Sequence, residues 1–288
     1  MTLILAIDAA WTDTGPSGVA LLAANGSRWN CLCVAPSYNS FIDCARGTHI
    51  NWGAGNFRGS RPDVPELLRA ARTMAGADVS LVAVDMPVAT APFSARRAAD
   101  NAISVAFGGR GCSAHSPSAV RPGVLGAELT DQFRRAGYDL VTSLDNASMA
   151  RKLIEVYPHP ALLALLGASY RIPYKVQKSS RYWPGIDVRE RIIRLLSQFR
   201  DIHTAICNEI DGVFLALPTP ATVPSLSSLK RFEDALDALV CGWVAAQFSQ
   251  GKAIAYGDAT GAVWVPQADC QPITLPSLLQ TPNRTHDA

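Results

Sequence analysis

Leu3-Ile4-Leu5-Ala6-Ile7-Asp8 decides the reading of this chain. An unbroken apolar run of that length suits a strand buried on both faces, and it stops on a carboxylate. Working outward, Thr14-Gly15-Pro16-Ser17-Gly18 is turn chemistry, and residues 19–24 predict a second strand. Asn25-Gly26 is the strongest short hairpin signal, so residues 28–34 should return as a third strand. The chain therefore opens as an antiparallel meander of three strands. Residues 36–62, rich in Gly, Asn and Ser, read as loop. Asp63-Val64-Pro65-Glu66 has the form of a capping box with proline early in the helix. Leu67, Leu68, Ala71, Met74 and Ala75 follow at helical spacing. Residues 81–84 predict a fourth strand, and it ends on Asp85.

Residues 86–150 read as an insertion punctuated by Pro87, Pro92, Pro117 and Pro122. Helices are expected over 94–107 and 125–136. Between them, Gly108-Gly109-Arg110-Gly111 lacks the Lys-Ser/Thr ending of a P-loop and reads as a turn. Residues 152–157 predict a fifth strand that carries Glu155 and stops at Pro158. Helices follow over 159–166, 188–199, 208–217 and 230–250. A basic, aromatic loop spans 174–183, and 218–228 is linker-like. A hairpin over 253–256 and 262–265 closes the fold. No internal repeat is visible. The expected architecture is α/β: one domain over 1–288, with a mixed sheet of antiparallel meander plus parallel strands, flanked by helices.

Bulk properties bound the function. Of 288 residues, 48% are hydrophobic and 17% charged, which is the globular class. A net charge of +2 permits a nucleic-acid partner without demanding one. Asp8 interrupts the first apolar run and no basic n-region precedes it, so no signal peptide is expected. Nothing approaches the roughly 20 apolar residues of a membrane span. Seven cysteines without a CxxC pair argue against a disulfide framework and against a zinc site. A soluble, cytoplasmic protein with reduced thiols is the expectation.

Acids carry the chemical signal. Asp8 and Asp85 each end an apolar strand, and in open α/β sheets functional groups collect beyond the carboxyl ends of strands. Glu155 lies mid-strand, on the face of Leu153 and Tyr157. In the long helix, Asp234 and Asp237 stand at i and i+3 and share a face. Asp237 is hemmed in by Leu236, Val240, Cys241 and Val244. A lone carboxylate there would cost several kcal/mol, so it needs a cation, a donor network or a raised pKa. A metal ion shared with Asp8 and Asp85 would offset their mutual repulsion.

The order of these acids is similar to that in the RNase H-like superfamily, and most similar to Holliday-junction resolvases. Ile7-Asp8-Ala9-Ala10, Val84-Asp85-Met86-Pro87, Ile154-Glu155-Val156-Tyr157-Pro158 and Leu236-Asp237-Ala238-Leu239-Val240-Cys241 resemble domain-of-unknown-function family 429, over nearly the whole chain. Members of that family are predicted nucleases of RNase H fold. The resemblance implies an RNase H-like fold and a Mg²⁺- or Mn²⁺-dependent nuclease. Asp8, Asp85, Asp234 and Asp237 would be metal ligands, and Glu155 a catalytic residue near the substrate. Two ions about 4 Å apart would then serve phosphodiester hydrolysis.

Basic groups should hold the phosphates. Lys175, Lys178 and Arg181 interleave with Tyr174, Tyr182 and Trp183, a pattern that suits single-stranded or distorted nucleic acid. Arg96 and Arg97 follow Asp85 closely enough to clamp a phosphate, or they only decorate a helix face. His115 is a possible proton carrier, and His159 a supporting group beside the site. Two rivals stand. An actin-like or sugar-kinase-like ATPase would share the core sheet, but its first hairpin carries D-x-G-x-T/S where this chain has Asp8-Ala9-Ala10-Trp11. A non-catalytic nucleic-acid binder or scaffold would have no need of all four aspartates.

Overall fold

The computed structural model describes residues 2–53, 57–89, 93, 95–143 and 150–267. The meander forms as expected, from β1 (Leu3–Asp8), β2 (Gly18–Asn25) and β3 (Arg28–Ala35). All three pair antiparallel in sequence order. Gly26 supplies the left-handed corner of the hairpin, at φ +61°.

The stretch read as loop contains a helix, α1 (Tyr38–Ala45). Ser37 caps it by accepting from the Ser40 N–H at 3.1 Å, and Tyr38 and Phe41 bury its inner face. Next come α2 (Val64–Ala75) and β4 (Leu81–Val84). The Asp63 cap is present, accepting from the Glu66 N–H at 3.0 Å. Segment 86–150 bridges β4 to the next long strand through α3 (Ala98–Phe107), α4 (Leu125–Arg135) and the two-residue β5 (Asp139–Leu140). The expected helix start at Ser94 lies outside the described residues, and Gly111, at φ +77°, closes the glycine turn.

Beyond the insertion lie β6 (Lys152–Val156), α5 (Pro158–Leu165) and α6 (Ser179–Tyr182). The stretch read as a basic loop thus holds a short helix, preceded by a 3₁₀ turn at Val176–Lys178. The helix expected over 188–199 runs on as α7 (Val188–Glu209), because Ile192, Leu195, Leu196, Phe199, Ile202 and Ile206 keep one apolar stripe running; the helix expected over 208–217 is not a separate element. No helix forms over 212–217. Instead Ile210–Asp211 is β7, parallel to β3, and Gly212 turns away at φ +69°. The chain closes with α8 (Lys230–Ser249) and the hairpin β8 (Ala253–Asp258) and β9 (Gly261–Pro266).

Among the described residues nine strands make one mixed sheet in the order β7-β3-β2-β1-β4-β6-β9-β8, with β5 beside β6. The pairs β1–β4, β4–β6 and β6–β9 are parallel. Helices cover both faces. Strand alternation sends Ile4 and Ala6 into the core shared with α5, α7 and α8, and Leu3, Leu5 and Ile7 into the core shared with α1, α2 and α4. Within α8, residues from Phe232 to Ala246 are buried throughout, so this helix is core on every side. Among the described residues no helix is long and apolar enough to cross a membrane.

Candidate functional site

Alternation decides which carboxylates meet. Asp8 continues the Ile4–Ala6 face of β1, and Asp85 continues the Leu81–Ala83 face of β4. Both therefore point to the side that α8 covers. They sit next to each other, since Ile7 pairs with Val84 and the Asp85 N–H donates to the Ile7 carbonyl at 2.8 Å. Gly18 pairs with Asp8 across β1–β2. A Cβ on Gly18 would lie 2.0 Å from the Asp234 carbonyl oxygen, so the missing side chain lets α8 rest on β2 backbone and sets Asp234 beside Asp8.

Two lysines hold the α8 acids. Asp237, 0% exposed, accepts from the Tyr174 hydroxyl at 2.6 Å and from the Lys175 ammonium. Glu233, which the sequence reading passed over, accepts from the Val176 N–H at 2.6 Å and the Lys230 ammonium at 2.8 Å, with Lys175 3.5 Å away. Lys230 also binds Asp234 Oδ1, and Asp234 Oδ2 is buried with no partner among the described residues. Lys230 lies one helical turn before Glu233 and Asp234, a spacing that was visible in the sequence. Lys175 comes from a segment 62 residues away and was not.

The protonation pattern follows. Burial pushes Asp237 up to about 6 even with Lys175 beside it. Burial, then the Asp8 charge, holds Asp85 well above the usual carboxylate range. Burial does the same to Asp234 against the pull of Lys230. In Glu233 burial is overcome by Lys175 and Lys230, and its pKa is lowered. The lysines answer in kind: burial would lower Lys175, but Asp237 leads the acids that raise it well above its ordinary value. Asp8 and Asp85 are half-buried, and no donor bonds either carboxylate among the described residues.

Glu155 pairs with Val84, next to Asp85, and its charge is among those that raise Asp85, but its partners lie on the other face of the sheet. It shares the Leu153 face of β6, opposite to the α8 side, and it is 3% exposed. Arg97 binds it in a fork, Nη1 to Oε2 at 2.6 Å and Nη2 to Oε1 at 2.7 Å, and the Val88 N–H adds a bond at 3.0 Å. Arg97 also grips Asp100 at 2.7 Å. The expected phosphate clamp is therefore an internal brace between insertion and sheet. Arg96 is likewise committed, to Asn101 at 2.6 Å, Ser116 at 2.8 Å and the Ala114 and Asp100 carbonyls. Of the basic residues singled out in the sequence, Lys175 lies within the acid cluster, Lys178 is half-buried and Arg181 is exposed. Among the described residues, no group of three or more His, Cys, Asp or Glu side chains stands ready to ligate one ion.

Fold and site define the class: an α/β protein whose central parallel strands deliver carboxylates to a buried, acid-rich helix. The family described as "Protein of unknown function (DUF429)" matches residues 12–261, and the chain belongs to it. No curated protein and no solved structure matches the chain.

Proposed function

We propose that this protein is a metal-dependent nuclease of RNase H-like fold that hydrolyses phosphodiester bonds of nucleic acid with two Mg²⁺ or Mn²⁺ ions. The observation that carries the reading is the trio Asp8, Asp85 and Asp234. Two carboxylates and one buried carboxylate oxygen, none with a donor among the described residues, meet at the carboxyl ends of adjacent parallel strands. Burial raises the pKa of Asp85 and of Asp234 even against the pull of Lys175 and Lys230 respectively, so a divalent ion there would stabilise their charged forms. Carboxylate oxygens are the ligands that Mg²⁺ prefers.

Asp8, Asp85 and the free oxygen of Asp234 would hold the ions, with Asp237 completing the set if Lys175 yields. The ions would supply activation of water and stabilisation of the leaving oxygen. The chain's own part is positional. Lys230 pins Glu233 and Asp234 from within α8, and Lys175 ties Glu233 and Asp237 to the 174–176 segment, which sets these carboxylates before any ion arrives. Tyr174 orients Asp237 Oδ1. Glu155, held by Arg97, ties β6 to the start of α3, which packs on β8 and β9.

Titration calorimetry with Mn²⁺ tests this. Wild type should bind at millimolar ion or below, with a raised Tm, because the folded cluster binds and the dispersed acids of the unfolded chain do not. Asp8→Asn and Asp85→Asn should each abolish binding. No heat and no Tm shift with wild type would instead favour a non-catalytic role, in which the two lysines are the site's permanent cations.

A further inference from the structure

A cavity of about 160 Å³ opens just past the carboxyl ends of β1 and β4. Ala9 and Met86, which line it, each follow one of the strand-end aspartates. Adjacent Cα atoms lie about 3.8 Å apart, so the cavity begins one residue from Asp8 and one from Asp85. Alternation turns the two aspartates toward α8 and sends Ala9 and Met86 to the opposite face, where α1, α2 and α4 pack. Tyr38 and Leu129 continue the apolar wall. Burial raises the pKa of the Tyr38 phenol, Ser17 opposes the rise, and the Asp8 charge adds to it. The wall of the cavity thus feels the carboxylate site.

Polar groups hold the rim. Gly59 rests on the loop after β1: its N–H donates to the Thr14 carbonyl at 3.3 Å, and a Cβ there would lie 2.0 Å from the Gly15 carbonyl oxygen. From the same segment Arg61 forks onto Asp13, Nε to Oδ1 at 3.1 Å and Nη2 to Oδ2 at 3.0 Å. Its Nη1 donates to Glu128 Oε2 on α4 at 3.3 Å. One arginine therefore joins three segments that enclose the cavity, and it leaves two polar groups open. Glu128 Oε1 has no donor among the described residues. Gln132, one turn further along α4, accepts from the Val64 N–H at 3.3 Å through Oε1. A backbone N–H can only donate, so this bond fixes which way the amide points. Gln132 Nε2 is then left without an acceptor among the described residues. Helix α4 presents one acceptor and one donor side by side, next to an apolar wall.

We propose that this cavity takes the single ring of an unpaired pyrimidine base, on a nucleotide whose phosphate lies at Asp8 and Asp85. Size selects the ring. A protein cavity of about 150 Å³ binds benzene, so one six-membered ring fits and the two fused rings of a purine do not. Polarity selects the heterocycle, since an apolar pocket with a few placed polar groups orients a flat ligand through its polar edge. Cytosine sets an amino donor beside a ring-nitrogen acceptor, and uracil and thymine set a ring N–H beside a carbonyl. Each edge matches the acceptor of Glu128 and the donor of Gln132. The subsite deepens the nuclease reading and rests on it for its role, but capture of the base does not depend on the metal.

Titration of cytidine, uridine and adenosine into the full chain in excess chelator, followed by ligand-observed NMR, tests it. Cytidine and uridine should bind saturably with a Kd in the millimolar range or below, and adenosine at least about tenfold more weakly. Gln132→Glu keeps an acceptor for the Val64 N–H and removes the donor. Glu128→Gln keeps an acceptor for Arg61 and turns the open oxygen into a donor. Each should weaken pyrimidine binding at least about tenfold while the fold is retained. The adenosine comparison needs no variant, so the test stands even if a variant fails to fold. Absence of saturable pyrimidine binding, adenosine binding as tight as cytidine and uridine, or undiminished binding in either folded variant would overturn the subsite. Nucleosides carry no phosphate and the chelator removes the ions, so this result and the Mn²⁺ titration can fail separately.

Discussion

Replacing Lys175 with methionine keeps much of the side-chain volume and removes the cation on which Asp237 depends. The lysine touches Asp237 Oδ2 and lies 3.5 Å from Glu233 Oε1, in a site where both acids are buried. Breaking a buried ion pair from one side costs about 3–5 kcal/mol. Glu233 keeps Lys230 at 2.8 Å, so the lower end, about 3 kcal/mol, is expected at neutral pH in chelator. That is a large part of the roughly 5–15 kcal/mol that holds a domain together. Asp237→Asn should restore much of the loss in the double variant, since it removes the stranded charge. The pH dependence has a definite sign. Asp237 titrates at about 6 when folded, against an ordinary value of 3.8. A carboxyl raised in this way contributes stability that is present below its unfolded pKa and lost as pH rises through the folded one. Without Lys175 the folded pKa rises further, so the deficit should shrink as pH falls from 7 toward 5. Urea melts of wild type, both single variants and the double variant would measure it. A loss under about 1 kcal/mol at neutral pH, or a deficit that grows on acidification, would refute the reasoning.

Three further outcomes follow from the same geometry. Asp85→Asn should hold or raise stability in chelator at pH 7, and lose that advantage in acid, because Asp85 is raised by burial and by Asp8 and is lowered chiefly by Lys175; thermal melts across pH check it. Arg97→Met should destabilise by about 3–5 kcal/mol, since it strands buried Glu155 and Asp100 together, and denaturant melts would show this with or without metal. Gly18→Ala should cost about 1–3 kcal/mol or more, because its Cβ would meet the Asp234 carbonyl at 2.0 Å; Mn²⁺ affinity should fall with it as α8 is pushed off β2.

Much of this arrangement is legible from the chain alone. Asp8 and Asp85 end short apolar strands, and two-residue periodicity sends them to one face. Asp237 announces itself by its apolar neighbours. The partners are harder to read. Lys175 meets Asp237 across 62 residues, and Arg97 meets Glu155 across 58, separations at which sequence spacing says nothing about contact. Basic residues beside aromatics read equally well as a nucleic-acid surface, and tertiary packing made Lys175 an internal counter-ion instead. Helix α1 hid in a stretch rich in loop-forming residues because Tyr38 and Phe41 are its fully buried side chains, with Ile42, Cys44 and Ala45 only partly buried. Helix α7 read as ending at 199 because polar residues 200–201 masked the stripe that Ile202 and Ile206 continue.

The central claim is that the carboxylates at the strand ends cut phosphodiester bonds with divalent ions. The most direct measurement is a cleavage screen of the purified full chain over single-stranded, duplex, hybrid and branched nucleic acids, each with Mg²⁺, with Mn²⁺ and with chelator. The account predicts cleavage of at least one substrate with metal, none in chelator, and loss of cleavage in Asp8→Asn while its fold is retained. Cleavage that survives chelator or Asp8→Asn, or a metal-loaded wild type that cuts none of the substrates, would contradict it.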